Sequence, residues 1–467
     1  MKKNKKIILQ HVLVEDYAAE GKSLAHVDGK VIFIDKAVPG DVVDIRLLKN
    51  KKDWAEGHPV LFRSFAKDRV QPFCPHFGIC GGCKWQMLPY EKQLVYKQQQ
   101  VADQLQRIGH IQMPDIQPIM GGVEQRYYRN KLEYTFANKK YLTDEEVKNT
   151  ELSHYSDVAG FHAPGIFDKV VDIDTCYLQH EPTNRIRKAA KNFALENGYP
   201  FYDIRLHTGW MRTMQVRLCN TGELMVNMVV AYEQAEWIPK LMQHLLEQEP
   251  AITTLLYTVN KKWNDSLFDQ EPVTWHGPGY VFEKLGDYVF KIGPKSFFQT
   301  NTAQAERLYT VTRDFAELDG SQTVYDLYCG TGSIGIFVSG QAKKIVGVEM
   351  IGDAIADAKE NAALNHINHA AFFEGDVATV CNDSFFSQNG RPDVIITDPP
   401  RAGMHEKLVK QIITMAAPTV VYVSCNPATQ ARDLRLLDEK YTVEKIQPVD
   451  MFPHTHHIEN VVQLKLR

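Results

Sequence analysis

Apolar and polar residues follow three different rhythms along the chain. Between residues 8 and 65 the alternation is short and two-residue in period, as in KVIFID (30–35) and DVVDIRLL (41–48). Turn signals at Asp28-Gly29 and Pro39-Gly40-Asp41 separate these runs. Short strands at that spacing predict a small barrel. Residues 90–108, YEKQLVYKQQQVADQLQRI, place Leu94, Val101, Leu105 and Ile108 along one face and predict a helix, with Gly109 as its stop. Residues 122–292 form a mixed, strand-rich middle without an internal repeat, and TDEEVKNTELSHYSD (143–157) is a polar excursion within it. From about 293 the rhythm changes again. TVYDLY, KIVGVE, AAFFEGD, DVIITD and VVYVSC each precede a loop and a helix-compatible stretch. Strands alternating with helices predict a doubly wound parallel sheet, so the fold class is α/β with a Rossmann-like C-terminal unit.

Composition narrows the class without choosing a function. A chain of 467 residues has room for two to four domains, and 44% apolar with 24% charged residues is ordinary for a soluble protein. No apolar run is long enough to cross a bilayer. MKKNKKIILQ is basic but lacks a following apolar core, so the expectation is a cytoplasmic protein without a signal peptide or membrane partner. The net charge of −4 gives no general case for nucleic-acid binding. Charge is uneven, however: residues 1–72 hold 14 Lys/Arg against 10 Asp/Glu, an excess of 14 − 10 = +4. Basic knots recur at KNKK (49–52), RYYRNK (126–131) and NKK (138–140). Short charge runs are ordinarily solvated surface, so these are weak pointers to an RNA-facing surface.

Candidate chemistry sits at strand ends. YDLYCGTGSIGIF (325–337) reads as strand, glycine turn and helix start, with Gly330, Gly332 and Gly335 in G-x-G-x-x-G spacing. Glu349 ends the next strand 19 residues after Gly330, where an acid can accept hydrogen bonds from ribose hydroxyls. That pattern fits NAD and S-adenosylmethionine alike. TDPPRAGM (397–404) follows another strand and puts Asp398 at a carboxyl end, with Pro399-Pro400 stiffening the loop. VVYVSCNPATQARDL (420–434) delivers Cys425 to a strand end before Asn426-Pro427. A strand cysteine is ordinarily a small apolar filler, whereas a nucleophile must be reachable. Cys329, inside the glycine turn, is the competing thiol and reads as packing. Eight cysteines are too few for a disulfide scaffold, yet FCPHFGICGGCKW spaces Cys74, Cys80 and Cys83 within ten residues, with Cys176 in DIDTCYLQH as a fourth. Such clustering favours a metal. A zinc ribbon would carry a second C-x-x-C; an iron–sulfur cluster tolerates a distant fourth ligand.

Taken in order, SFFQTN, DLYCGTGSIG, VGVE, DPPRAGM, SCNP and HTHHIE resemble the RumA/TrmA family of RNA uracil-5-methyltransferases. GKSLAHVDGKVIFIDKAVPGDVVDIRLLKNKK resembles a TRAM domain, a small OB-like RNA-binding barrel. With the barrel and the cysteine cluster included, the resemblance covers nearly the whole chain and points to the RumA-type 23S rRNA branch. The tRNA branch is expected to lack both additions. The resemblance implies an S-adenosylmethionine-dependent methyltransferase domain in which Gln299, Tyr328, Glu349, Asp376 and Asp398 contact the cofactor. Tyr328 replaces a commoner Phe, and Ser333 stands where a relative has Asn. It further implies a [4Fe–4S] cluster on Cys74, Cys80, Cys83 and Cys176. Cys425 would add to uracil carbon 6 and Glu459 would remove the carbon 5 proton. His454 and His457 are orienters of the Glu459 loop or packing residues, and Phe297 is a base-stacking residue or core.

The expected organisation is a barrel over 1–67, an iron–sulfur and RNA-binding middle over 68–89 and 122–292, and a catalytic domain over 90–121 and 293–467, in a monomer acting on 23S rRNA. A tRNA uracil-5-methyltransferase, a cytosine-5-methyltransferase and a non-catalytic iron–sulfur RNA-binding protein are the rivals. The contexts SCNP and HTHHIE argue against the cytosine enzymes.

Overall fold

A computed structural model describes residues 7–143, 145–149 and 151–467; the MKKNKK start and positions 144 and 150 of the polar excursion lie outside the described residues. The N-terminal alternation forms a six-stranded sheet. Its order is Ile8–Leu13, Val42–Asn50, Trp54–Ser64, Lys30–Ile34, Ser23–Val27 and Asp16–Tyr17. Three register shifts between Val42–Asn50 and Trp54–Ser64 bend this long pair, and such bulges curl a sheet toward a barrel. Val12, Ile32, Ile34, Val43 and Ile45 fill its interior. The Pro39-Gly40-Asp41 turn has a second task. Asp41 is fully buried and accepts the Val38 and Ala66 N–H groups, both at 2.8 Å, while Arg69 Nη2 donates to it at 2.7 Å. One carboxylate thereby closes the barrel's exit.

The middle of the chain folds around a second sheet, ordered Val273–His276, Thr254–Val259, Leu224–Val230, Met211–Leu218, Lys131–Lys139, Tyr155–His162 and Val170–Asp172. Every neighbouring pair is antiparallel except Leu224–Val230 with Thr254–Val259. Helices Thr183–Glu196 and Trp237–Gln248 cover one face, sharing a core with Tyr134, Phe136, Met214 and Val226. The hairpin Val281–Leu285/Tyr288–Ile292 instead packs into the core of the C-terminal sheet, with Phe298, Leu308 and Ile336.

The C-terminal sheet is ordered Ala370–Glu374, Lys344–Glu349, Thr323–Leu327, Val394–Thr397, Thr419–Ser424, Glu459–Leu466, Tyr441–Val449. The first five strands are parallel, and the sixth in space is antiparallel to both neighbours. Apolar runs such as TVVYVS are buried along their whole length because helices cover both faces. The strand order reverses between Thr323–Leu327 and Val394–Thr397, and ligands of open α/β sheets bind outside the carboxyl ends at such a switch.

The helix expected over residues 90–108 runs from Tyr90 to Gln104 and widens into a π turn over Leu105–Gly109. Its buried face is only partly the expected one. Val101 and Leu105 are buried as expected, together with Tyr90, Gln93 and Lys97, whereas Leu94 is only partly buried and Ile108 is exposed. The reason is electrostatic: Lys97 Nζ lies 2.6 Å from Asp450 Oδ1 with both side chains fully buried, and Tyr90 Oη donates to Asp450 Oδ2 at 2.8 Å. Gly109 does not stop the helix either. It is buried inside the π turn, and His110 takes the left-handed conformation (φ 50°) that ends it.

Candidate active site

Five parallel strands bring their carboxyl ends to one edge, and the residues singled out from sequence assemble there. Leu327 ends one strand and Tyr328 follows in the left-handed region (φ 61°), its N–H held by the Val348 carbonyl at 3.0 Å. Its half-buried ring packs toward the core behind the sheet. Gly330 and Gly332 also have positive φ, but for different reasons. A Cβ on Gly332 would lie 3.1 Å from Ala358 and Phe372, whereas one on Gly330 would point into open space. Gly330 is thus the glycine whose backbone is free to approach a ligand. Glu349 Oε2 accepts the Gly330 N–H at 3.3 Å, and Oε1 accepts those of Met350 and Ile351 at 2.7 and 3.1 Å. Asp376 is exposed and caps the short helix Val377–Val380 through Ala378 N at 3.0 Å. Asp398 directly follows Val394–Thr397, and burial raises its carboxyl to about 7.

Cys425 and Glu459 meet through strand register. Ser424 pairs with Asn460 in the antiparallel ladder, so one further step sets Cys425 opposite Glu459, and opposed residues share a face. Their charges confirm the proximity. The Cys425 thiol is pushed up to about 12, by burial first and then by Glu459 and Asp398, with Arg401 opposing. Glu459, 6% exposed, is held well above the usual carboxylate range by burial and by Asp398, and Arg401 again opposes.

Among the described residues, Arg401, in the DPPR stretch, is the one cation that acts on both Cys425 and Glu459, and it was missed as a site residue. Its carbonyl accepts Asn426 Nδ2 at 3.1 Å and Thr429 Oγ1 at 3.2 Å, which fixes the loop to helix Pro427–Leu437. Its guanidinium reaches His457 Nδ1 at 3.1 Å. The signal in sequence was the arginine directly after Asp-Pro-Pro, the only basic residue in that loop.

The remaining candidates separate. Cys329 is buried, its thiol pushed well above the ordinary value, and it sits against Gly347: a packing residue. His454 is buried in the left-handed region (φ 64°), its carbonyl accepting Lys84 and Trp85 N–H at 2.8 and 3.1 Å and its ring meeting Gln93 Nε2 at 3.1 Å. It ties the Glu459 loop to the cysteine segment. Phe297 is 70% exposed, whereas Phe298 enters the core. Ser333 contacts Tyr309 Oη at 3.0 Å.

Gln299 lies in the loop before helix Thr302–Ala316, and that loop is held from the middle domain. Asn130 Nδ2 donates to the Gln299 carbonyl and to Thr302 Oγ1, each at 2.9 Å, while Asn130 N donates to the Thr300 carbonyl at 2.8 Å. Asn130, from the RYYRNK knot, is thus a bracket for the loop and not solvated surface.

Cys74, Cys80, Cys83 and Cys176 line one cavity of about 370 Å³, together with Gln86 and Arg129. Burial pushes Cys80 and Cys83 up to about 12 and Cys176 to about 11, and the thiols raise one another further. Gln86 Oε1 accepts Cys74 N–H at 3.1 Å and Asn184 Oδ1 accepts Cys176 N–H at 2.8 Å, fixing two of the four backbones. Among the described residues, no three His, Cys, Asp or Glu side chains converge closely enough to hold a single metal ion. No helix among them is long and apolar enough to cross a membrane.

The strand order, the glycine turn with its acid on the next strand, and the N-terminal barrel define a Rossmann-like domain for a nucleoside-bearing cofactor, joined to a small barrel. Comparison with known proteins narrows this. Residues 9–60 match the TRAM domain model, 310–421 the methyltransferase small domain, and 385–467 the tRNA (uracil-5-)-methyltransferase model. An RNA methyltransferase of Bacteroides thetaiotaomicron is 49% identical over 96% of this chain and 100% of its own length. One from Porphyromonas gingivalis is 47% identical over 97% and 98%. The solved tRNA (uracil-54, C5)-methyltransferase of Pyrococcus abyssi, in complex with S-adenosyl-L-homocysteine, is 26% identical with a TM-score of 0.74, covering 97% of this chain and 100% of that one. The chain belongs to the RumA/TrmA family of RNA uracil-5-methyltransferases and is an S-adenosylmethionine-dependent enzyme.

Proposed function

We propose that the chain methylates carbon 5 of uracil in 23S rRNA through a transient bond between Cys425 and uracil carbon 6. The observation that carries this reading is the pairing of Cys425 with Glu459 across adjacent strands at the ligand-bearing edge. Carbon 5 of uracil is a poor nucleophile. Addition of the Cys425 sulfur to carbon 6 moves the ring's double-bond electrons toward the carbon 4 carbonyl, and the resulting enolate is nucleophilic at carbon 5. S-adenosylmethionine, when bound, supplies the electrophilic methyl group. The carbon 5 hydrogen then leaves as a proton to Glu459, the ring double bond re-forms, and the bond from carbon 6 to sulfur breaks to release Cys425. A carboxylate with a raised proton affinity suits that base role. Arg401 lowers the proton affinity of Cys425 and so favours the thiolate. Gln299, Tyr328, Glu349, Asp376 and Asp398 would hold the cofactor, and the open space over Gly330 suits it.

The four clustered cysteines fit a [4Fe–4S] cluster better than zinc. Zinc needs every sulfur at about 2.3 Å from one atom, while a cluster spreads four thiolates over four irons. Their place beside Arg129 and the loop bonded to His454 supports a role in holding RNA and the catalytic loop. The protein is proposed to be a cytoplasmic monomer with a domain organisation of 1–67, 68–89 with 122–280, and 90–121 with 281–467, the expected boundary at 292 moving because the hairpin Val281–Leu285/Tyr288–Ile292 shares the core of the C-terminal sheet.

A second reading, tRNA as substrate, is favoured by the Pyrococcus abyssi tRNA enzyme, which aligns with nearly the whole chain, N-terminal barrel included. The barrel therefore does not separate rRNA from tRNA enzymes, as the sequence had suggested. Transfer of labelled methyl to purified 23S rRNA and to purified tRNA decides between the two. Product in 23S rRNA as 5-methyluridine supports the proposal; product in tRNA alone replaces rRNA by tRNA.

A further inference from the structure

At the far end of the middle sheet lies a feature that methyl transfer does not use. Trp263 is 75% exposed, yet its ring is not loose: it stacks on His207 with centroids 4.8 Å apart and planes 10° from parallel. The loop that carries it is clamped from beneath. The fully buried Arg212 donates to the carbonyls of Asn260, Lys262 and Asn264 at 2.7, 2.6 and 2.9 Å, and to Asp265 at 2.7 Å. The buried Asn260 adds a bond to the Asn264 carbonyl at 2.9 Å and accepts Lys262 N–H at 3.0 Å. A buried guanidinium is an expensive anchor for a surface turn. Here it preorganises a large aromatic face that folding alone would bury.

Beside that face opens a cavity of about 400 Å³, walled by Tyr202, Tyr232, Asn260 and Lys261. Two nearby acids are neutralised, Asp265 by Arg212 and Asp269 by Lys262, while Glu233, next to Tyr232, is bonded to Tyr257 Oη at 3.3 Å. Lys261 has no carboxylate partner among the described residues, which leaves an exposed cation next to the aromatic face. An exposed ring on a rigid loop, flanked by a free cation, is the arrangement that takes a base and its phosphate from single-stranded nucleic acid.

Strand register sets how far this face is from the chemistry. Lys131, next to Asn130 and the Gln299 loop, pairs with Arg217, while Met211 pairs with Val230 and Val230 with Val259. Arg217 to Met211 is six steps, roughly 20 Å at about 3.4 Å per residue, and Trp263 lies past that end of the sheet in the loop after Val259.

We propose that Trp263 and His207 form a stacking platform for an unpaired nucleobase of the RNA substrate, remote from the methylated uridine, with Lys261 engaging the adjoining phosphate. The proposal rests on RNA being the substrate. It makes the enzyme a reader of RNA over two separated points, so methylation of a target strand too short to span both gains nothing from the platform.

Full-length protein is tested by fluorescence anisotropy on a labelled twelve-nucleotide oligouridine, with S-adenosylhomocysteine binding measured alongside as a check of folding. Trp263→Ala is expected to weaken oligouridine binding about 5- to 100-fold, and Trp263→Phe to retain affinity within about threefold. Lys261→Ala is expected to reduce the slope of log affinity against log salt by about 0.7. On a long rRNA transcript Trp263→Ala raises KM and leaves kcat unchanged. Affinity of Trp263→Ala within twofold of the parent overturns the proposal, and is also the outcome if this face docks a protein. If the parent protein methylates no RNA but loses oligouridine binding on Trp263→Ala, the methylation reading falls and the platform stands.

Discussion

Cys425 and the clustered Cys80 and Cys83 have their thiols raised alike and stand in different surroundings. Burial comes first in both places and brings Cys425, Cys80 and Cys83 alike to about 12. The second influence differs. Around Cys425 it comes from two carboxylates, Glu459 and Asp398, with Arg401 set against them. Around Cys83 a hydrogen bond with Gln86 comes next and lowers the thiol, and the charges that raise it are those of other thiols, Cys176, Cys80 and Cys74. A thiol among carboxylates and a guanidinium is equipped to exchange protons with a bound molecule. Thiols whose raising charges are one another's lose that mutual penalty when a cation replaces their protons. A raised thiol is therefore uninformative alone, and its neighbours decide its chemistry.

Exchanging the two kinds of cysteine gives the largest effect. Cys425→Ser is expected to lower turnover by roughly 10⁴-fold or more, with iron and sulfide content unchanged. Cys83→Ser should give the converse: loss of iron and sulfide with S-adenosylhomocysteine affinity retained. Metal analysis and single-turnover methylation of both variants check this pair, and a zinc-only parent protein would remove the iron–sulfur side of the contrast.

The two regions are also mechanically joined, through the loop that Asp450 and His454 brace. Lys97→Ala leaves Asp450 buried without its cation, and breaking a buried pair in this way costs about 3–5 kcal/mol. Chemical denaturation reads this as a lowered midpoint.

That pair also shows where the sequence stopped being legible. The five parallel strands could be read because each is a continuous apolar run ending at a loop with recognisable chemistry. The face of helix Tyr90–Gln104 was partly misread because Lys97 looks like a solvent residue until Asp450, 353 positions later, is folded against it. The antiparallel strand Glu459–Leu466 carries no periodic signature separate from HTHHIE, so the register that opposes Cys425 and Glu459 was invisible, although both residues had been singled out. Asn130 and Arg401 were hidden for related reasons: Asn130 sits in a short basic run and Arg401 is a lone arginine in a proline loop, and only the fold shows what each holds.

Smaller effects sharpen the contrast around Cys425. Asn130→Ala frees the Gln299 carbonyl and Thr302, and loss of such buried hydrogen bonds is expected to raise the KM for S-adenosylmethionine about 10-fold with little change in kcat. Arg401→Ala removes the cation that lowers both Cys425 and Glu459. With that opposition gone the thiol ionises at higher pH, so the rising limb of the kcat/KM profile moves to higher pH. Asp398→Asn acts in the opposite sense on stability. Asp398 has a folded value of about 7, above its unfolded one, so holding it ionised weakens the fold increasingly as pH rises through that interval. The asparagine variant should melt higher at pH 8 than the parent and show no gain at pH 4, while losing cofactor affinity.

The most direct test follows the sulfur itself. In Glu459→Gln the methylated ring can form, but its carbon 5 proton has no base to accept it. Incubation with uridine-containing RNA substrate and S-adenosylmethionine should therefore accumulate a protein–RNA adduct. Digestion and mass spectrometry should place a methylated uridine on the peptide containing Cys425, and Cys425→Ala/Glu459→Gln should give none. Full methylation by Cys425→Ala, or an adduct on any other cysteine, would contradict the account.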